Sequence, residues 1–217
     1  MIVYKKAENE SDLDEIYRLR FRVYCRERGY EPEYSCLSGR ERDEFDQYSI
    51  HFIARHYNLT PVGTIRLTRN IPLGLPADKS SKKNIPRREV VAEVSKLAIS
   101  RIAIKMSGSN RREVVLGLFK SLYQESKALG IQYWCAGMNE SLCRLLNRYG
   151  IRFVRMGETA EHYGPCALYM AELRKIEKDM SLINPALFKY FTGSQEEKRF
   201  GYLSFGMYRI KRGKFSA

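Results

Sequence analysis

The chain has 217 residues, is 44% hydrophobic and carries a net charge of +13. That length and composition suit one domain with a sizeable core and exclude a fibrous or disordered protein. No apolar run approaches the ~20 residues of a membrane helix, and Met1-Ile2-Val3-Tyr4-Lys5-Lys6 lacks the apolar stretch of a signal peptide, so a cytoplasmic location is expected.

The five cysteines are odd in number and form no CxxC pair. Neither a metal site nor a disulfide framework is expected, and Cys135 and Cys166 read as core residues. Residues 1–60 hold 10 basic and 12 acidic side chains, residues 61–174 hold 19 and 9, and residues 175–217 hold 9 and 4. The positive excess therefore lies in the middle and tail. Such a field draws acidic partners: nucleic acid, anionic lipid at a membrane surface, or a small acidic carrier protein.

Residues 2–6 alternate as a first strand. A helix is expected from Ser11-Asp12 to about Arg28, with the stripe Leu13, Ile16, Tyr17, Val23 and Tyr24. Arg20 occupies the i+7 position of that stripe. An inward arginine is costly unless paired, so Arg20 is either a site residue or a side chain that snorkels to water. A polar, aromatic loop follows over 29–49. Ile50–Tyr57 and Val62–Thr68 form a hairpin, with Arg66 among Val62, Thr64 and Thr68. A long loop rich in proline and basic residues spans 70–88.

The strand Val90–Ile99 is largely apolar on both faces, as a central strand should be. Strict alternation places Glu93, Ser95, Leu97 and Ile99 on one face, and Val94, Lys96 and Ala98 on the other. Glu93 and Lys96 interrupt it, and a buried carboxylate there has a raised pKa unless it is paired. A capping box at Asn110-Arg111-Arg112-Glu113 opens a helix to Leu129, stopped by Gly130. Then come strand Ile131–Met138, helix Asn139–Tyr149, and strands Ile151–Met156 and Cys166–Leu173. The expected organisation is a catalytic domain over 1–174 and a basic, aromatic extension over 175–217, with one helix near Pro185–Phe191.

The order β-α-β-β-β-α-β-α-β-β is that of a GNAT-type α/β fold: a mixed central sheet, splayed in its middle, with helices on both sides. The segments FRVYCRERGYE, DEFDQYS-H, VGTIRL, AEVSKLAIS and HYGP resemble acyl-homoserine-lactone autoinducer synthases. They resemble still more closely the related N-acyl amino acid synthases and the acyltransferases associated with the PEP-CTERM/exosortase system. The resemblance spans roughly residues 10–174. Autoinducer synthases typically carry an aspartate where Ser49 stands and an arginine where Lys96 stands, so an amino acid acceptor is expected instead of a homoserine-lactone product.

The resemblance implies an N-acyltransferase that uses an acyl-phosphopantetheine thioester and holds no tight cofactor or metal. A Gln/Arg-x-x-Gly-x-Gly/Ala pyrophosphate loop is missing before the 110–130 helix; Ser107-Gly108-Ser109 offers one glycine. That favours an acyl carrier protein over acyl-CoA as donor. No tyrosine stands four residues before Gly150, where Leu146 lies, so no acid for the leaving thiolate is assigned.

Glu93, with Ser95 beside it, is the expected catalytic group, acting as base toward the amine. Backbone N–H groups around Leu97, Ile99 and Ser100 would hold the thioester oxygen. Arg20, Arg66 and Lys96 would bind the acceptor's carboxylate or tie Glu44 and Asp46 into a network. Arg111 and Arg112, at a helix N-terminus, suit a phosphate. Val114, Val115, Leu118, Phe119 and Leu122 would line an acyl tunnel or form plain core. The alternatives are a CoA-dependent GNAT acetyltransferase and a non-enzymatic basic module for nucleic acid or lipid. No nucleic-acid motif is present, and such a module has no use for an inward Arg20 and Glu93.

Overall fold

The structure is a computed structural model that describes residues 1–57, 60–69, 75, 90–161 and 165–193. The expected loop over 70–88 (Leu75 apart), the His162-Tyr163-Gly164 part of the HYGP segment and the tail beyond residue 193 lie outside the described residues. The strands are β1 (Ile2–Lys6), β2 (Ser49–His56), β3 (Pro61–Arg69), β4 (Val91–Ile99), β5 (Tyr133–Met138), β6 (Val154–Glu161) and β7 (Pro165–Glu172). The helices are α1 (Glu10–Phe21), α2 (Arg101–Ser107), α3 (Arg111–Ala128), α4 (Glu140–Arg148), α5 (Leu173–Ile183) and α6 (Pro185–Thr192).

The strands form one mixed sheet in the order β1-β2-β3-β4-β5-β7-β6. All neighbours are antiparallel except β4 and β5, which are parallel. That parallel pair is short: only Val91, Ala92 and Glu93 face Tyr133, Trp134 and Cys135. Beyond Glu93 the two strands part, and the sheet opens into a V. The splayed GNAT architecture expected from the element order is thus present.

One face of the sheet carries the main core. Val114, Leu118 and Leu122 of α3 pack on Val62, Ile65, Leu67, Ala92 and Val94. Trp134 lies fully buried there, its indole N–H donating to Ser126 Oγ at 2.9 Å. Each methylene removed from water contributes about 0.8 kcal/mol, so this face supplies most of the stability. The segment 173–192, beyond the last strand, belongs to the same core: Leu173, Ile176, Met180, Leu187 and Phe191 are all buried. Gly150 permits that docking. Its φ is +84°, and a Cβ there would stand 2.7 Å from the Met180 Cα.

The other face is covered by α1. Asn9 caps it, its side chain accepting from the Asp12 N–H. Where one α-helix to Arg28 was expected, the chain widens after Phe21 into a π-helical turn, Arg22–Glu27. Such turns recur at functional sites. Leu19, Val23 and Tyr24 pack on Ala98. A second departure is α2: Ser100 caps a short helix directly after β4, in a stretch that carried no helical stripe.

Candidate functional site

The α1 face of the sheet holds a buried network of opposite charges. Arg20 has no exposed surface, yet its three donor nitrogens are all engaged. Nε donates to Glu41, Nη1 to Asp46 Oδ1 at 2.7 Å, and Nη2 to Asp46 Oδ2 at 3.1 Å. Arg66 on β3 sits opposite Ser95 of β4, and its Nε donates to Ser95 Oγ at 3.1 Å. Arg66 Nη1 donates to Asp43 Oδ1 at 2.6 Å and to Asp46 Oδ1 at 2.7 Å. Lys96 Nζ reaches Glu41 Oε1 at 2.5 Å and Asp43 Oδ2 at 3.2 Å.

Three cations and three carboxylates therefore interlock. Burial alone would raise the carboxyl pKa values. The charges and hydrogen bonds of the surrounding cations together outweigh it, led by Arg20 for Glu41 and Asp46 and by Arg66 for Asp43, so all three stay below their ordinary range. Burial would likewise lower Arg20, but the Glu41 and Asp46 charges hold it above its ordinary value. Beneath the network lies His51 on β2, opposite Arg66. Its Nε2–H donates to the Asp46 carbonyl at 3.0 Å, while Nδ1 is buried with no hydrogen-bond partner among the described residues. Burial pushes the His51 pKa below its ordinary value, which favours the neutral ring.

Lys96 joins the network because β4 bulges. The register with β3 slips between the pairs Thr64–Ala98 and Arg66–Ser95, and Lys96 has φ of +54°. A non-glycine residue rarely adopts that conformation, which costs about 1–3 kcal/mol and persists where its surroundings impose it. The bulge reverses the alternation downstream. Glu93, Ser95, Lys96 and Ala98 lie on the α1 face, whereas Val94, Leu97 and Ile99 turn to the α3 core. Strict alternation had placed Leu97 and Ile99 with Glu93, and Lys96 with Val94; both assignments are corrected.

Beside the network, the V of the sheet forms a cleft of about 2030 Å³. Ordinary ligand sites span roughly 300–1,000 Å³, so there is room for an extended chain and a second molecule together. Glu44, Arg66, Glu93, Ser95, Lys96, Leu97, Ile99, Arg111 and Arg112 all line it. Glu93 stands in the crotch, paired across to Cys135 in the last joined rung, with 5% of its surface exposed. From α3, Val115 and Phe119 reach the cleft, while Val114, Leu118 and Leu122 are core alone. Past residue 93 the β5 side of β4 has no strand partner among the described residues, and the backbone there faces the cleft. Ser100 is excluded as an oxyanion donor, because its N–H is given to the Val62 carbonyl at 3.1 Å.

Of the two roles expected for Arg20, holding the acceptor or tying Asp46 into a network, the geometry has the network: Arg20 and Asp46 bond to each other behind the cleft wall and do not line the cleft. The expectation for Glu44 is corrected. Glu44 is exposed, and neither Arg20 nor Arg66 bonds to it. Their partners are Glu41 and Asp43, together with the expected Asp46. Both missed residues had a signal: three inward cations, Arg20, Arg66 and Lys96, need three carboxylates nearby.

At the cleft mouth, Arg111 and Arg112 start α3, with Arg28 at the end of the π-helical turn. Burial, and then the charges of Arg28 and Arg101, push Arg111 below its ordinary pKa. This cationic corner lies beside an exposed helix N-terminus, an arrangement that attracts an anion.

The family model for the N-acyl amino acid synthase FeeM matches residues 15–172. An acyl-homoserine-lactone synthase of Aeromonas hydrophila is 28% identical over 149 residues, covering 66% of this chain and 70% of that protein. Among solved structures, the AHL synthase LasI superposes with a TM-score of 0.68 at 16% identity, covering 83% of this chain and 94% of that one. The CoA-dependent acyl-homoserine lactone synthase BjaI superposes with 0.66 at 16% identity, covering 86% and 90%. At such identities the superpositions establish a shared fold. The family match spans most of the sequence, including the charge network, the bulged strand and the cleft, and with it the chain belongs to the FeeM family of N-acyl amino acid synthases, acyltransferases that acylate an amine.

Proposed function

We propose that the chain transfers a fatty acyl group from the phosphopantetheine thioester of an acyl carrier protein to the amine of an amino acid, inside the cleft between β4 and β5. The observation that carries this reading is the position of Glu93: a nearly buried carboxylate in the crotch of the splayed sheet, one residue pair from the open backbone of β4.

The amine nitrogen attacks the thioester carbonyl carbon, the C–S bond breaks, and the thiol leaves with a proton. An α-ammonium has a pKa near ~8, so a base that takes its proton, directly or through water, accelerates the step. Glu93 is that base, with Ser95 beside it. Backbone N–H groups of β4 near Leu97 and Ile99 receive the developing oxyanion. Arg111 and Arg112 take the phosphate of the pantetheine arm. Val115 and Phe119 flank the acyl chain.

The carrier protein is favoured over CoA by the segment before α3. It is a helix closed by Gly108 at φ of +62°, with no glycine-rich loop of backbone donors for a pyrophosphate. The acidic loop is held by Arg20 and Arg66, whose hydrogen bonds go to protein acceptors; the acceptor therefore meets the exposed edge of the network, at Lys96 and Asp43.

The test is turnover with an acyl carrier protein thioester and a panel of amino acids, read by mass spectrometry. The Glu93→Gln variant should slow by about 10²–10⁴ with its fold intact. Wild-type turnover by a folded Glu93→Gln protein would remove Glu93 from the chemistry.

A further inference from the structure

The rim of the cleft beside α2 carries a surface that the chemistry leaves unused. Helix α2 is held firmly: Glu27 of the π-helical turn accepts from Ser100 Oγ and from the Arg101 backbone N–H, each at 2.6 Å. Its inner side is anchored by buried Ala103 and half-buried Ile104. The outer side is Ile102 and Met106, one turn apart, 56% and 81% exposed. Large apolar side chains held out on a rigid helix mark an interaction site when they sit together within a polar rim.

Five cations surround this apolar pair. Arg101 and Lys105 lie on α2, Arg111 and Arg112 open α3, and Arg28 closes the π-helical turn. None of these five is in an ion pair among the described residues, whereas Arg18, Arg20, Arg26, Arg40 and Arg55 of the α1 side all are. Arg28, Arg111 and Arg112 also line the cleft, so the patch runs continuously from the helix face into the site.

We propose that the outer face of α2 is the docking surface for the acidic carrier protein that presents the thioester: Ile102 and Met106 seat against an apolar edge of the partner, and the surrounding cations meet its carboxylates. This rests on the carrier-protein reading above and adds the place of contact. Charge complementarity selects the partner. The patch offers five positive charges outside the ion pairs of the described residues, around two apolar anchors, at a rim that continues into the cleft through Arg28, Arg111 and Arg112. Apolar anchors at the centre of an interface carry affinity, and rim charges raise the association rate.

The experiment measures kcat/KM for wild type, Lys105→Glu and the double variant Ile102→Ser/Met106→Ser. One donor is an acyl carrier protein loaded with the chain that wild type uses fastest; the other is the same chain on free pantetheine. Both variants should lose about tenfold or more with the carrier, keep the wild-type value with pantetheine, and unfold at the wild-type temperature. Equal loss with both donors would overturn the docking surface, as would no loss with a carrier that wild type prefers. So would binding to phosphatidylserine–phosphatidylcholine vesicles that both variants abolish while carrier kinetics stay unchanged, which assigns the patch to lipid. Failure of the donor reading is separate and shows in wild type alone, as equal use of carrier and pantetheine.

Discussion

Arg20 and Asp46 face each other through two parallel hydrogen bonds, with 0% of one side chain and 4% of the other exposed. Removing one charge of such a pair strands its partner, at a cost of about 3–5 kcal/mol. Asp46→Asn should lower stability by that order in urea unfolding. Asp43→Asn should cost distinctly less, because the Asp43 side chain is 24% exposed and water can replace it. Equal losses in the two variants would show that burial does not rank the network.

The bulge at Lys96 reverses a familiar order of substitutions. Glycine in a strand interior ordinarily weakens it relative to alanine. At φ of +54° alanine retains the strain and glycine does not, a difference of about 1 kcal/mol. Both substitutions lose the same ion pairs to Glu41 and Asp43. Lys96→Gly should therefore unfold later than Lys96→Ala. The opposite order would mean that the bulge flattens once the ammonium is gone.

Arg66 braces the acidic loop, with Nε on Ser95 and Nη1 shared by Asp43 and Asp46. Lysine cannot reproduce that fork. Arg66→Lys should thus be less stable by about 2 kcal/mol or more and should slow acylation of an amino acid and of its decarboxylated amine alike. A selective rise in KM for the amino acid would instead put Arg66 in direct contact with the acceptor's carboxylate.

Acid should weaken the protein in two stages. Burial holds folded His51 below its ordinary 6.5, so the unfolded chain binds the extra proton first, and stability falls as the pH drops from about 6.5. For Glu41, Asp43 and Asp46, burial is outweighed by the guanidinium charges, and their folded values lie below the ordinary 4.5 and 3.8. Their stabilisation is present above those values and is lost as the pH falls below them. His51→Gln should abolish the upper stage and keep the lower one, measured as urea midpoints from about pH 8 to about pH 2. An unaltered upper stage in the variant would assign it to another group.

The strands, the helix caps at Asn110 and Asn139 and the hairpin of β2 and β3 were legible because each rests on local spacing or a local cap. The bulge was not. One residue slips against β3, and nothing in Val94-Ser95-Lys96-Leu97 announces it, so the faces of Leu97, Ile99 and Lys96 came out reversed. Glu41 and Asp43 sit in a loop without periodicity, and only a count of inward cations leads to them. Helix α2 buries one residue fully, too little for a stripe; Leu173, Ile176 and Met180 of α5 do keep helical spacing, yet the stretch was expected to be a basic extension with its one helix near Pro185–Phe191, so α5 was missed.

Among the described residues three rungs join β4 to β5, so the sheet is in effect two boards meeting at a narrow hinge line, and Glu93 occupies its last rung. A point at a fulcrum moves least when the boards tilt. On the proposed reaction, a V that widened for a bulkier acyl chain would leave the Glu93 carboxylate in place beside the backbone of β4. Tolerance for the chain and constancy of the proposed reacting centre would then share one origin, the shortness of a single parallel pairing.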